Sequence, residues 1–196
     1  TNNAVAFQDS NVSVSIGAIT VSENATLNLE DGANANTQAT AIASIDVDTG
    51  KTLTIVNGVN VDGTTIGDGN VDITISGTTT GLGTLIIKSE DGTTAAGNDA
   101  TLKDTGAISI SNFTVKSGDG ITASLGSTME VEDLGTASLG ISSTNFTMKA
   151  GDGATGAAAS RGGILTITQV TADVSSTNYL ISGGDGATPA GGHTRG

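Results

Sequence analysis

The sequence predicts an all-β protein, a parallel β-solenoid of about six to seven irregular coils, and three observations predict it. A strand-like segment (Asn, aromatic, any residue, apolar) begins at residues 112, 145 and 178, at two equal intervals of 33 residues. Short apolar alternations recur elsewhere, while no stretch carries the apolar stripe of a helix. Self-similarity at a period of about 20 to 50 residues is typical of stacked repeats, in which each copy buries its apolar face against its neighbours.

The same strand accounts for most of the predicted elements in chain order. Weaker copies each begin with Thr followed by two apolar residues around a central position, and a first strand is predicted over residues 4–9. The copies start near residues 26, 52, 84, 112, 145 and 178. Their intervals run from 26 residues (52 − 26) to 33 residues (178 − 145), so the strand is constant and the loops vary. We predict a single β-solenoid domain over residues 1–196.

The intervals between copies are long enough for further strands. Candidates lie at residues 128–132 and 138–142 in one interval, and at residues 164–168 and 172–176 in the next. Two or three short strands per coil, joined by turns that contain Gly, describe a solenoid in which every coil pairs with the coils above and below. An antiparallel β-sandwich is the alternative, since it also has many short strands. A sandwich, however, gives no reason for an equal spacing.

The composition excludes several classes of partner. The net charge is −13 with only seven Lys and Arg, which predicts no binding to nucleic acid. No run of 18 apolar residues occurs, so no membrane insertion is expected. The chain has no cysteine, which excludes disulfides and thiolate metal sites. Such an acidic, lysine-poor composition is typical of extracellular or cell-surface proteins.

Recurrent apolar-x-apolar strands with Asn and Gly at the corners carry a family resemblance. Examples are Asn145-Phe146-Thr147-Met148 and Leu53-Thr54-Ile55-Val56-Asn57-Gly58. The pattern resembles the right-handed parallel β-helix passengers of bacterial surface proteins, the autotransporter or filamentous-haemagglutinin-like adhesins. The resemblance implies an extracellular structural or adhesive role and assigns no catalytic residue.

Stacked coils predict columns of equivalent side chains. The first residue of each strong copy is expected to form an asparagine ladder along the axis, as stacked Asn side chains do in cross-β assemblies. The ladder residues are Asn112, Asn145 and Asn178, and the aromatic column beside them is Phe113, Phe146 and Tyr179. A platform that stacks bases or sugars needs positive charge or a cleft, so we interpret the aromatic residues as packing.

A column of acidic residues is predicted at the corner after this strand, formed by Asp91, Asp119, Asp152 and Asp185. Like charges at the spacing of adjacent strands repel by about 3 kcal/mol at an effective dielectric of 20. A lysine column relieves this repulsion if Lys88, Lys116 and Lys149, each three residues before an aspartate, lie beside it. The fourth aspartate has Ser182 in the lysine position.

Calcium is the competing explanation for the acidic column, because hard cations take carboxylate and carbonyl oxygens from such turns. A calcium site at Asp91, Asp119, Asp152 and Asp185 therefore remains a hypothesis beside the simpler one, in which each Asp-Gly pair makes a turn and the Asp side chain accepts local backbone N–H groups. No other cofactor is predicted.

Nothing in the sequence indicates catalysis. The only histidine, His193, lies in a Gly-rich stretch without a nucleophile motif near it. We therefore predict a non-enzyme.

Neither end of the chain shows a cap of the kind that usually protects edge strands, and the predicted first strand, Ala4-Val5-Ala6-Phe7, is uncharged. This predicts a homopolymer that joins through uncapped ends, as the subunit of a secreted filament, sheath, surface layer or biofilm matrix. The alternatives are a segment of a β-helical adhesin passenger and an ice-binding protein, the latter suggested by pairs such as Thr52 with Thr54 and Thr166 with Thr168.

Overall fold

The computed structural model describes residues 3–7, 13–30, 38–59, 70–89, 91, 99–120, 128–132, 140–153, 163–168 and 173–185. Within these residues the chain forms thirteen strands and no helix, and hence no helix of the length and apolarity that crossing a membrane requires. The strands are β1 (Asn3–Phe7), β2 (Val14–Val21), β3 (Ala25–Glu30), β4 (Gln38–Val47), β5 (Thr52–Val59), β6 (Asn70–Ile75), β7 (Thr79–Ser89), β8 (Asp99–Thr105), β9 (Ile108–Lys116), β10 (Met129–Val131), β11 (Ile141–Lys149), β12 (Leu165–Ile167) and β13 (Val174–Ser182).

Every strand pair among the described residues is parallel, which confirms the β-solenoid and shows that the antiparallel sandwich is wrong. Each coil passes over three faces in a fixed order. The first face has seven rungs: β1, β3, β5 and the C-terminal halves of β7, β9, β11 and β13.

The other two faces have six rungs each. The second face consists of the N-terminal halves of β2 and β4, followed by β6, β8, β10 and β12. The third face consists of the C-terminal halves of β2 and β4 and the N-terminal halves of β7, β9, β11 and β13. Two of the strands predicted between the repeats, at 128–132 and 164–168, are β10 and β12. The other two, at 138–142 and 172–176, coincide with the starts of β11 and β13, and their residues 138–139 and 172 lie outside the described part.

The core consists of apolar columns that run along the solenoid axis. Alternate residues of each strand point inward, because successive side chains of a strand lie on opposite faces of the sheet. On the first face one inward column contains Leu53, Leu85, Phe113 and Phe146, all at most 2% exposed. Each such side chain contributes about 1.5–3 kcal/mol by its burial, so the repeated strand makes a large contribution to stability.

The register of the first face corrects one predicted repeat. Strand β3 pairs Thr26 with Thr54, and not with Thr52, so the copy aligned with Thr52 begins two residues earlier, at Asn24. A shift of two residues leaves the same side chains facing the core, and therefore the apolar pattern does not distinguish the two registers. The five later copies pair in the predicted register, with Thr52 beside Thr84 and Asn112 beside Asn145.

Glycines stack at the corner after the first face. A Cβ added to Gly151 lies 1.9 Å from the carbonyl oxygen of Gly118, and one added to Gly184 lies 1.8 Å from the carbonyl oxygen of Gly151. No side chain fits at these distances, so the corner is formed by three backbones in direct succession.

We expect Gly151→Ala to lower the free energy of unfolding by about 2 kcal/mol, since overpacking against backbone forces neighbouring coils apart. Gly183→Ala is the matched control, because nothing lies within 4 Å of the position of its added Cβ. Denaturant unfolding of both variants measures the difference, and equal stabilities would contradict the stacked corner.

Two threonines interrupt the apolar columns. The Thr79 side chain is fully buried in the third-face column that contains Ile45, Ile108 and Ile141, and its hydroxyl has no hydrogen-bond partner. Thr40 occupies the equivalent situation on the second face, beside Ile73.

Replacing Thr79 by the isosteric valine removes an unpaired hydroxyl without a change of shape. We expect Thr79→Val to raise the free energy of unfolding by about 1 kcal/mol. Thr114→Val, at a half-buried outward position, is the control and should stay within about 0.5 kcal/mol of the parent. A destabilised Thr79→Val protein in thermal unfolding would show that the hydroxyl has a partner.

Candidate functional site

The asparagine side chains of the three strong copies lie in one hydrogen-bonded ladder on the outside of the first face. The amide of Asn178 donates to Asn145 at 2.8 Å, and the amide of Asn145 donates to Asn112 at 2.5 Å. The ladder extends one coil beyond the asparagines toward the N-terminus, because the Asn112 amide donates to the Thr84 hydroxyl at 3.1 Å. Asn24, in the corresponding place of the first full copy, accepts from the Thr52 backbone N–H at 3.0 Å.

The aromatic residues next to the ladder face inward and stack on one another. The ring centroids of Phe113 and Phe146 are 5.6 Å apart with the planes 16° from parallel. Tyr179 continues the stack at 5.3 Å from Phe146, with a tilt of 36°. Phe113 and Phe146 are at most 1% exposed, whereas Tyr179 is 55% exposed. The first two are packing residues, and the third shows a face that has no further coil on it.

The corner aspartates lie in one column, and each carboxylate of the first three is held on both oxygens. Lysine ammonium groups donate to one oxygen: Lys88 to Asp91 at 2.9 Å, Lys116 to Asp119 at 2.7 Å and Lys149 to Asp152 at 2.7 Å. The other oxygen accepts the backbone N–H of the aspartate in the next coil, at 2.6–2.8 Å. Repulsion within the column is therefore offset by alternating lysines and by oriented N–H groups.

The electrostatics of two of these carboxylates follow from the same contacts. Burial raises the pKa of Asp91, but the hydrogen bonds from Lys88 and from the Asp119 N–H outweigh it and hold that pKa below its usual value. The hydrogen bond from Lys149, together with the Asp185 N–H, lowers the pKa of Asp152. Asp152 in turn raises the pKa of Lys149 through the same hydrogen bond.

Asp185 differs from the other three aspartates. Its N–H donates to Asp152, but Ser182 stands in the lysine position, and Asp185 lies in the last coil of the described part. Its carboxylate thus lacks the lysine partner that the other three possess.

The calcium hypothesis stays a prediction. Among the described residues no group of three or more His, Cys, Asp or Glu side chains lies close enough to hold a metal ion. The repulsion that suggested calcium is offset by lysine in three of the four coils. His193 lies outside the described residues.

Serine residues at the same corner were not predicted. The hydroxyl of Ser89 accepts the Gly118 N–H at 2.9 Å, and that of Ser117 accepts the Gly151 N–H at 2.7 Å, both in the buried interior. The signal in the sequence was the repeated Lys-Ser pair at residues 88–89 and 116–117. The pair alone does not indicate that the serine hydroxyl accepts a glycine N–H of the next coil.

A shallow groove of about 690 Å³ runs along the axis where the third face turns into the first. Hydroxyl groups line most of it, from residues that include Ser109, Ser111, Ser142, Thr144, Ser175 and Thr177. Ser176, also in the groove, donates to the backbone carbonyl of Asn178 at 2.7 Å. Among the described residues that line the groove, none has a charged side chain.

Strand β13 supplies the last described rung of both the third and the first face, and it presents an exposed apolar surface. We call this surface the terminal rung and define it by Val174, Tyr179, Leu180 and Ile181. These side chains are 36–55% exposed. One rung earlier, Phe146 and Met148, the register partners of Tyr179 and Ile181, are each 1% exposed. Strand β13 pairs only with β11 among the described strands, so the N–H and C=O groups on its other edge have no strand partner there.

The lysine and aspartate column predicts a loss of stability in acid. A carboxyl with a pKa lowered by folding stabilises the protein above its unfolded pKa of about 3.9, and this contribution is lost as the pH falls through the lower folded value. We expect Asp91→Asn with Asp152→Asn to lower the unfolding free energy at pH 7 by about 1 kcal/mol, with a smaller difference from the parent near pH 3. Urea titrations at both pH values test this, and a constant difference would contradict it.

Comparison with protein-family models, with curated proteins and with solved structures finds no match for this chain.

Proposed function

We propose that this protein is a non-catalytic structural subunit that assembles with copies of itself along the solenoid axis, as a filament, sheath or surface layer outside the cell. The observation that carries the proposal is the terminal rung. Tyr179 and Ile181 are 55% and 52% exposed, whereas their register partners one rung earlier, Phe146 and Met148, are each 1% exposed. Exposed, parallel strand edges of this kind are templates for pairing with another chain.

The energetics favour a further rung on this surface. One more coil buries the inward side chains of the terminal rung and pairs the free edge of β13, which are the interactions that stabilise every earlier coil. Residues 186–196 do not offer such a rung by their sequence, because they contain no Val, Ile, Leu, Phe or Tyr. A second copy of the chain supplies one, in the parallel direction that the solenoid requires.

The extracellular or cell-surface location is part of this proposal. It is supported by the acidic, cysteine-free composition and by the likeness of the strand pattern to bacterial adhesin passengers. The acidic charge also sets the conditions of assembly, since a net charge of −13 opposes association until salt screens it.

A segment of an adhesin passenger is the second candidate. It is favoured by the last three first-face rungs, which keep the same register and the same 33-residue spacing up to β13. In that case further residues of the same polypeptide supply the next coil.

Ice binding is not proposed. The outward column that contains Thr26, Thr54 and Thr114 is interrupted by Ile86 and ends on Leu180, so no continuous threonine face exists on the first face.

The proposal predicts fibres from the purified 196-residue chain, visible by negative-stain electron microscopy and pelleted by ultracentrifugation at moderate salt. Ile181→Lys places a charge in the inward column of the terminal rung and should abolish the fibres, since a buried unpaired ammonium is strongly unfavourable. Leu180→Lys adds the same charge on the outward side of the same strand and should still form fibres.

Short monomeric rods from the parent chain at all salt concentrations would contradict self-assembly. That result would favour the adhesin segment. Circular dichroism of both variants checks that the solenoid itself is intact.

A further inference from the structure

The numbers of rungs on the three faces do not match. Among the described strands the first face has seven rungs, from β1 to β13, while the second and third faces have six each. The described chain both begins and ends on the first face, because β1 precedes the first second-face rung and the C-terminal half of β13 follows the last third-face rung.

This mismatch restricts how two copies join. If β1 of a second copy pairs with the free edge of β13, the second and third faces of that copy start one rung too far along the axis. A gap of one strand spacing, about 4.8 Å, then separates the copies on those two faces. The apolar columns of these two faces then remain exposed at the junction. This removes much of the favourable free energy of association that apolar burial would provide.

We propose that the C-terminal half of β13 takes the place of β1 in the next copy and pairs with its β3. The inference rests on the proposed function. With β1 displaced, β12 meets the start of the next copy's β2, and the N-terminal half of β13 meets the end of that β2. All three faces then continue without a gap, and the partner is a second copy of this chain.

Continuing the register across this junction brings apolar residues together on each face. Ile181 stands beside Leu27 on the first face, as Val115 and Met148 stand beside each other within the chain. Val174 stands beside Ile19 on the third face, and Ile167 beside Val14 on the second.

The sequences of the two competing strands favour the replacement. In β1 the register position next to Ala25 is held by Asn3, whereas the same column holds Leu53, Leu85, Phe113 and Phe146 in later coils. Tyr179 of β13 brings an aromatic ring to that position and continues a stack that already exists. By sequence, β1 offers a polar residue at this register position where β13 offers an aromatic one, and this makes β1 the weaker occupant of the site on β3.

Disulfide trapping distinguishes the two junctions, because the chain has no cysteine of its own. Leu180 lies on the outward side of the terminal rung, and its partner is Thr26 if β1 is displaced but Ala4 if β1 is retained. Adjacent rungs are about 4.8 Å apart, within the range that a disulfide spans. Within one copy residues 26 and 180 are five rungs apart, about 24 Å, so a link between them joins two copies.

We expect Leu180→Cys with Thr26→Cys to form a ladder of disulfide-linked oligomers under mild oxidation of assembled protein, on a non-reducing gel. Leu180→Cys with Ala4→Cys should give only the background of the single Leu180→Cys variant. The reverse result overturns the strand replacement while leaving self-assembly intact. Absence of fibres from the parent chain is the separate result that removes the proposed function.

A second measurement uses the full chain with Ala4→Pro and Val5→Pro. Successive N–H groups of a strand point to opposite sides, so this pair removes a donor of β1 toward β3 whichever residue supplies it, and weakens β1. Strand replacement predicts that the lag time of assembly falls severalfold, because the competing strand leaves its site more readily. A longer lag time or a loss of fibres overturns the inference.

Discussion

The structure depends on one constraint, the in-register parallel pairing of successive coils. Parallel pairing places each residue directly beside its equivalent in the neighbouring coil, about 4.8 Å away. A side chain therefore has to be compatible with copies of itself. Leucine, phenylalanine and asparagine meet this condition by packing or by amide hydrogen bonds, whereas aspartate meets it only with help from lysine and backbone N–H groups. The core, the ladder and the corner are three results of the same condition.

The fold and the columns could be predicted from the sequence, because in-register pairing requires similar residues at equivalent positions of successive coils. This requirement is visible in the sequence as a repeat. Asn112, Asn145 and Asn178 are neighbours in space at the separations that their spacing implied. The pairing of Lys116 with Asp119 was equally visible, since both recur together. In such a protein the place of a residue within the sequence repeat determines the column in which it lies.

Other features could not be predicted for physical reasons. The register of β3 was placed two residues off because an alternating pattern is unchanged by a shift of two. The roles of Ser89 and Ser117 depend on the close approach of glycine backbones, which no local pattern specifies. The division of long strands such as β7 between two faces occurs near Gly81, which has a positive φ, whereas the sequence predicted a strand there only from residue 84.

Three of the hydrogen-bond ladders along the axis have the same direction. The Asn145 amide donates to Asn112, the Asp152 N–H donates to Asp119 and the Gly151 N–H donates to Ser117, each time toward the earlier coil. The β13 end of the rod thus presents acceptors, the Asn178 amide oxygen and the Asp185 carboxylate. Two such ends do not complement each other. The filament that we propose would consequently be polar, with two chemically different tips, and subunits would add to the two tips at different rates.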